Sequence, residues 1–311
     1  MTPKAQLDFS GIRILDGGMA TELERRGCDI SGVLWSAHVL DASPQTIGEV
    51  HLDYLRAGAD CISTASYQVS AKGYAELGRD PEDAVTALRR SVEIAEAART
   101  QYAAESNRPV WIAASLGPYG AALHNGAEYH GNYQIGFDEL VEFHAERLDA
   151  LADTNADLIA FETVPSLEEV KAILAALGRY PDLRAWLSLT CKDTLHLAHG
   201  EQIGECAALL DGAPQIAAIG VNCTSPHLIR WLIAEIQTVT AKPVIVYPNS
   251  GEIWDPAART WQGRTEIQHF GALAQRWFIA GAQAVGGCCR TGPAHIRAIR
   301  EAFEASERLP A

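Results

Sequence analysis

Short apolar runs alternate with segments of helical periodicity along the whole chain, and this alternation restricts the fold more than any other feature. The predicted strands are rich in β-branched residues and are closed by polar or turn residues. Eight such runs occur, at 12–15, 61–63, 110–113, 158–161, 186–189, 217–221, 244–247 and 283–286. Several are apolar throughout, which is typical of strands that are covered on both faces in a parallel sheet.

The segments between these runs are predicted to be helices. Asp80 before Pro81 is typical of a helix start, and Ser166 and Glu169 have capping-box spacing ahead of an apolar face. Further helices are predicted near 138–152, 226–238, 265–280 and 293–304. Eight strands interleaved with helices favour one (β/α)8 TIM-type barrel domain over residues 1–311. A doubly wound sheet is less favoured because no strict glycine-rich phosphate turn follows any strand.

Charge and cysteine content narrow the functional classes. The 25 basic and 39 acidic residues give a net charge of −14, which opposes binding to nucleic acid or to an anionic membrane. No run approaches the roughly 20 apolar residues of a membrane span, and the N-terminus has no signal-peptide core. Seven cysteines, an odd number, favour reduced thiols over a disulfide framework. We therefore expect a cytoplasmic protein with small-molecule partners.

Three cysteines stand where a barrel places its chemistry, at the carboxyl ends of strands. Cys223 follows the sixth predicted strand, and Cys288 and Cys289 follow the eighth. Three converging thiolates favour Zn²⁺, with a fourth position left for substrate or water. Two alternatives to this zinc site remain open. Cys223 and Cys288 could be small core residues, or Cys191, which also follows a strand, could be a competing ligand.

Two carboxylates also end predicted strands. Asp16 follows the first strand and Glu162 ends the fourth, which suggests a receptor for a cationic group or a proton carrier. The alternative is a salt bridge to Lys192 or Arg290. Gly17 and Gly18 add backbone N–H groups at a helix start, where a carboxylate of a ligand could bind.

Taken in order, six motifs resemble the homocysteine S-methyltransferase family: DGGMATEL, GPYG, FETVPS, GVNC, YPNSGE and GGCCR, at 16–23, 117–120, 161–166, 220–223, 247–252 and 286–290. The resemblance covers nearly the whole chain. It implies Zn²⁺ on Cys223, Cys288 and Cys289, with the sulfur of L-homocysteine as a further ligand. It also implies that the amino-acid end of homocysteine is held by the DGG glycines and by the carboxylates of Asp16 and Glu162.

The same resemblance indicates the methyl donor. Thr163 stands where the betaine enzymes have a tyrosine, and the short chain looks like the branch that uses S-methylmethionine, with S-adenosylmethionine as the other candidate donor. A sulfonium cation is stabilised by aromatic faces. Trp35 and Tyr67 are the predicted aromatics, with Tyr119 behind them, and ordinary packing is the alternative for each. Asn249 is a further predicted substrate-site residue, and Asn222 has no assigned step.

Three other functions fit part of the pattern. A selenocysteine or other thiol methyltransferase would use the same zinc and carboxylates. A redox or zinc-storage protein would use Cys288 and Cys289 as a sensor and would not need Asp16 or Glu162. A metal-assisted hydrolase is disfavoured because three thiolates make zinc a weaker Lewis acid.

Overall fold

Seven parallel strands form a sheet through the centre of the protein. The computed structural model describes residues 9–30, 36–255, 260–262 and 267–307. The strands are β1 Cys61–Ser63, β2 Trp111–Leu116, β3 Leu158–Val164, β4 Ala185–Leu189, β5 Ile216–Asn222, β6 Val244–Tyr247, β7 Ile253–Asp255, β8 Thr260–Gln262 and β9 Ala282–Val285. The large sheet has the order β1-β2-β3-β4-β5-β6-β9. Seven predicted strands are therefore found, and the α/β fold class is confirmed.

Ile14 and Leu15 pair with the two outermost strands of this sheet. Ile14 bridges Val285 of β9 and Leu15 bridges Cys61 of β1, both in parallel. The predicted strand 12–15 is thus reduced to two bridge residues. A residue distant in the sequence contributes to this, because one carboxylate oxygen of Asp60 accepts the backbone N–H groups of Arg13 and Ile14 at 3.1 and 2.9 Å.

Helices alternate with the strands, and two of them begin at the N-cap residues predicted from the sequence. The Asp80 side chain accepts a hydrogen bond from the Glu82 amide, and Ser166 accepts one from the Glu169 amide. The helices are α1 Met19–Arg25, α2 Ser36–Ala42, α3 Pro44–Ala57, α4 Ala71–Glu76, α5 Pro81–Ala103, α6 Tyr119–Ala122, α7 Phe137–Ala152, α8 Leu167–Leu177, α9 Ile203–Asp211, α10 Ile229–Gln237, α11 Ile267–Ile279 and α12 Pro293–Glu307. Short 3-10 helices span Phe9–Gly11 and Ala127–Tyr129.

Both faces of the sheet are buried, which explains the continuous apolar runs. In β3, Ile159 and Phe161 belong to the large core that includes the helices, whereas Leu158 and Ala160 belong to a second, smaller core. Trp186 and Tyr247 also lie in this smaller core. Alternate residues of one strand therefore fill two hydrophobic cores, and polar side chains are concentrated where the strands end.

The connection between β6 and α11 contains a second, two-stranded sheet. Residues of β7 and β8 form an antiparallel two-stranded hairpin, with Ile253 opposite Gln262. Among the described residues, no helix is both long and apolar enough to cross a bilayer.

Candidate active site

The sulfur atoms of Cys223, Cys288 and Cys289 form a cluster at the carboxyl ends of β5 and β9. All three lie within 4.8 Å of one another, and those of Cys223 and Cys289 are 3.9 Å apart. Tetrahedral zinc with Zn–S bonds of about 2.3 Å separates its sulfur ligands by about 3.8 Å. Within the described part of the chain this is the only such group of metal-ligating side chains. It can hold a metal ion.

Cys223 and Cys288 are joined as a disulfide in this structure, with Cys289 free. The sequence predicts reduced thiols, so the expectation is wrong for this pair. Metal binding requires thiolates, and the same two sulfurs must be reduced before they can act as ligands. Cys191 is buried and lies outside the metal-ligating group, which removes it as a competing ligand.

Backbone hydrogen bonds fix the adjacent cysteines against the end of β6. The Cys288 amide donates to the Pro248 carbonyl at 2.8 Å, and the Ser250 amide donates to the Cys289 carbonyl at 3.0 Å. The Thr291 hydroxyl donates to the Cys288 carbonyl at 2.7 Å. These contacts hold the two neighbouring sulfurs beside Cys223, although they follow a different strand.

Asp16 and Glu162 lie at the same end of the sheet and share an electrostatic environment. Asp16 accepts hydrogen bonds from the amide and hydroxyl of Ser63 at 2.7 and 3.3 Å, and Glu162 accepts one from the Ser115 hydroxyl at 3.1 Å. Burial raises the pKa of Asp16 to about 7. Burial and the charge of Asp16 raise the pKa of Glu162 to about 8. Such carboxyls favour a cationic ligand, which would lower both pKa values.

Arg290, one of the two alternative salt-bridge partners, pairs with other carboxylates. Arg290 binds Glu252 at 2.8 Å and Glu24 at 3.2 Å. Among the described residues, no lysine or arginine forms a salt bridge with Asp16 or Glu162. Neither Lys192 nor Arg290 therefore neutralises these carboxyls.

Gly17 and Gly18 let the backbone pass close to the cysteine cluster. A side chain on Gly18 would meet the Cys288 carbonyl oxygen at 2.7 Å, and one on Gly17 would meet the Tyr54 ring at 2.9 Å. The Gly18 amide already donates to the Thr291 carbonyl at 3.0 Å. These glycines therefore provide close approach of the chain, and the Gly18 N–H is engaged within the protein.

The remaining predicted site residues differ in position. Asn249 follows β6, and its side-chain oxygen is buried without a hydrogen-bond partner among the described residues. The Tyr67 hydroxyl lies close to the side chain of Thr163, directly after Glu162. Tyr119 instead packs edge-on against Tyr133 and Phe143, on the helical side of the fold. Trp35 lies outside the described residues.

Asn222, a residue without an assigned step in the sequence, positions the backbone after Glu162, and a loop adds two further residues. Asn222 accepts the Thr163 amide at 2.7 Å and donates to its hydroxyl at 2.8 Å, while Thr163 has a left-handed φ of +60°. Glu128 and Tyr129 approach Cys289 from a 3-10 helix. Sequence reasoning missed the left-handed backbone of Thr163 and the loop carboxylate of Glu128, because neither has a sequence signal, whereas Asn222 stands directly before a predicted ligand.

The fold and the site together define an α/β enzyme with a cysteine cluster able to hold a metal ion at the carboxyl ends of its strands. A family model described as homocysteine S-methyltransferase matches residues 13–303. The chain belongs to the homocysteine S-methyltransferase family, and is a methyltransferase.

Several relatives are similar over nearly their whole length. Homocysteine S-methyltransferase YbgG of Bacillus subtilis is 48% identical, with 94% of this chain and 95% of the relative covered. Selenocysteine Se-methyltransferase of Brassica oleracea is 43% identical, with 94% and 89% covered. The homocysteine methyltransferase MmuM of Escherichia coli, in its metallated form, superposes with a TM-score of 0.85 at 42% identity, covering 94% and 96%. Its oxidised form has a TM-score of 0.87 at 42% identity, covering 96% and 98%.

Proposed function

We propose that this protein transfers a methyl group from a sulfonium donor, S-methylmethionine, to the thiol of L-homocysteine and so produces methionine. The observation that carries the proposal is the placement of three cysteine sulfurs and two carboxyls, Asp16 and Glu162, at one end of the same sheet. A thiol-binding cluster beside a receptor for ammonium matches the two ends of homocysteine.

Cys223, Cys288 and Cys289 are proposed to hold Zn²⁺ once the disulfide is reduced. The all-sulfur donor set and the 3.9 Å separation of two of its sulfurs suit a tetrahedral zinc site. Bound zinc would supply Lewis acidity that keeps a neighbouring thiol deprotonated at neutral pH. The need for reduced thiolates also favours a cytoplasmic location.

Asp16 and Glu162 are proposed to bind the ammonium group of homocysteine. The hydrogen bonds from Ser63 and Ser115 orient their oxygens, and a bound cation offsets the electrostatic cost of ionising two neighbouring carboxyls. The unpartnered oxygen of Asn249 supplies a further acceptor for an N–H donor. Gly17 and Gly18 are proposed to lie beside the amino-acid end, because they bring the chain close to the cluster.

The chemistry needs no general acid for the leaving group. The acceptor thiol loses its proton to solvent, its sulfur forms a bond to the donor methyl carbon, and the old carbon–sulfur bond breaks. The bonding pair stays on the donor sulfur, which leaves as a neutral thioether. The residues therefore mainly orient the two sulfurs in line with the methyl group. Tyr67, and Trp35 on the sequence pattern, are the proposed aromatics for the donor cation, and betaine is not the expected donor.

For the architecture, we propose a single domain that closes as a (β/α)8 barrel. Ile14 pairs in parallel with Val285, and Leu15 pairs in parallel with Cys61. These pairings support residues 12–15 as the additional strand that joins the two outermost strands and closes the barrel.

The test is methionine formation by reduced, zinc-loaded protein from homocysteine with S-methylmethionine, S-adenosylmethionine or betaine supplied separately. We expect methyl transfer from S-methylmethionine to exceed that from betaine by orders of magnitude. Absence of methionine with every sulfonium donor would refute the proposal.

Selenocysteine is a second candidate acceptor, favoured by the 43% identity to a selenocysteine Se-methyltransferase. Its amino-acid end is the same and its selenol ionises more readily than a thiol. Comparing kcat/KM for selenocysteine and homocysteine with one donor decides between the two acceptors.

A further inference from the structure

Glu128 brings a buried carboxylate to the cysteine cluster from a part of the chain that the acceptor site does not use. It lies in the 3-10 helix Ala127–Tyr129, which contacts α6 and β3. Gly120 makes this close packing feasible, since any side chain there would collide with the Glu128 backbone. The segment is thereby held down against the end of the sheet.

One oxygen of the Glu128 carboxylate lacks a polar partner. Glu128 Oε2 is buried and has no hydrogen-bond partner among the described residues. Burial also raises the pKa of Glu128 to about 7. A buried carboxylate without a partner is costly to the fold, and a bound cation removes that cost.

Two tyrosines flank Glu128 and link it to the cluster. The Tyr129 hydroxyl lies close to the Cys289 sulfur, and 45% of the residue is exposed. Tyr67 lies near enough to both Glu128 and Glu162 that each charge raises the pKa of its hydroxyl, after the larger effect of burial. Tyr67 is therefore near both Glu128 and Glu162, the second of which is assigned to the acceptor.

We propose that Glu128, Tyr129 and Tyr67 form the subsite for the positively charged sulfur of the methyl donor. The proposal rests on the proposed methyltransferase function and adds an anionic residue to it. A carboxylate with aromatic faces stabilises a sulfonium centre by charge and by cation–π attraction. Glu128 and Tyr129 lie near Cys289, on a segment that the acceptor site does not use. A sulfonium bound there would lie close to the cluster that holds the acceptor thiol, and transfer needs that proximity.

The decisive probe is trimethylsulfonium, which carries the sulfonium charge but no amino-acid group. Ligand-observed NMR titration should show that reduced, zinc-loaded wild type binds it more tightly than neutral dimethyl sulfide. Glu128→Gln should weaken trimethylsulfonium binding by roughly tenfold to a hundredfold. Glu139→Gln, which removes an exposed carboxylate that caps α7, is the matched control for net charge and should bind as wild type does.

Kinetics provide the second readout. Glu128→Gln should raise KM for S-methylmethionine by a similar factor with KM for homocysteine within about twofold of wild type. Tyr129→Leu, which removes the ring and keeps the carboxylate, should raise the donor KM by about threefold to tenfold and serves if Glu128→Gln does not fold.

Equal trimethylsulfonium binding by wild type and Glu128→Gln, or no binding by wild type, would overturn the subsite. Because this binding is measured without turnover, it is independent of methionine formation. Cation binding that depends on Glu128, in a protein that makes no methionine from any sulfonium donor, would support the subsite and refute the proposed function.

Discussion

The charge of Asp16 raises the pKa of Glu162, although the two residues are far apart in the sequence. Each carboxyl is anchored by a serine of a neighbouring strand, Ser63 for Asp16 and Ser115 for Glu162. The pair therefore forms one titrating unit whose ionisation is coupled to the binding of a cation.

Binding of the amino-acid end should weaken as the pH falls. With pKa values of about 7 and 8, the carboxyls of Asp16 and Glu162 take up protons below pH 8 and lose their attraction for ammonium. Methionine, which lacks a titrating thiol, is the suitable ligand. Its Kd should rise by up to about tenfold per pH unit near pH 8, where one carboxyl takes up a proton, and more steeply toward pH 6, where both do. Calorimetry measures this Kd at each pH. Glu162→Gln should make the Kd depend less steeply on pH, because one of the two titrating carboxyls is removed. A wild-type Kd that does not change with pH would contradict the assignment.

Neutralising Asp16 should stabilise the fold while it weakens acceptor binding. Its pKa is raised on folding, from 3.8 to about 7, so the native state holds the proton more tightly than the unfolded chain. The resulting stability is present below pH 4 and is lost as the pH rises through 7. Asp16→Asn does not lose this stability as the pH rises. Its free energy of unfolding should therefore exceed that of wild type by on the order of 2 kcal/mol at pH 8, with little difference at pH 4.

Urea unfolding of the reduced, metal-free protein measures this difference. The exposed Asp182→Asn is the control and should change the free energy of unfolding by less than about 0.5 kcal/mol. A destabilised Asp16→Asn protein at pH 8 would mean that Asp16 is a structural anchor for Ser63 first and a ligand residue second.

Metal content should follow the three clustered cysteines. Reduced protein should take up about one zinc per chain, and Cys223→Ser, Cys288→Ser and Cys289→Ser should each bind it at least tenfold more weakly, because a hydroxyl is a poor substitute for a thiolate. Cys191→Ser, which alters a buried thiol outside the cluster, should keep full zinc. Elemental analysis together with a competing chelator gives both quantities. Unreduced protein should take up none, since two ligands are then joined.

The fold could be predicted from the sequence where burial on both faces of a strand produces a continuous run of apolar residues. In β3 both Leu158 and Ile159 are buried, on opposite faces, so the strand is apolar throughout and easily recognised. The position of Cys223 just after β5 and of Cys288 just after β9 then followed from parallel topology alone.

Other features depend on contacts between distant segments, which periodicity does not report. The carboxylate of Asp60 takes two backbone N–H groups that strand 12–15 would need, and Arg290 pairs with Glu252 and Glu24 rather than with the site carboxyls. Glu128 stands in a polar loop sequence, and its burial is set by packing against Gly120. Such effects are properties of the assembled structure.

The last prediction concerns the strained backbone after Glu162. Thr163 is β-branched yet has φ of +60°, and Asn222 binds both its amide and its hydroxyl. A left-handed conformation is unfavourable for such a residue by about 1–3 kcal/mol, so the Asn222 side chain must hold it. Asn222→Ala should lower the free energy of unfolding by about 1–3 kcal/mol, because it leaves buried polar groups unpaired.

Glycine at 163 adopts positive φ without strain and lacks the hydroxyl, so Asn222→Ala should cost less in a Thr163→Gly background than in wild type. Urea unfolding of the two single variants and the double variant gives the coupling, expected at about 1 kcal/mol or more. Because Thr163 sets the direction in which the chain leaves Glu162, Asn222→Ala should also raise KM for homocysteine, and the double variant should recover part of that loss. Additive free energies with an unchanged KM would show that Asn222 fills space and does not position the site.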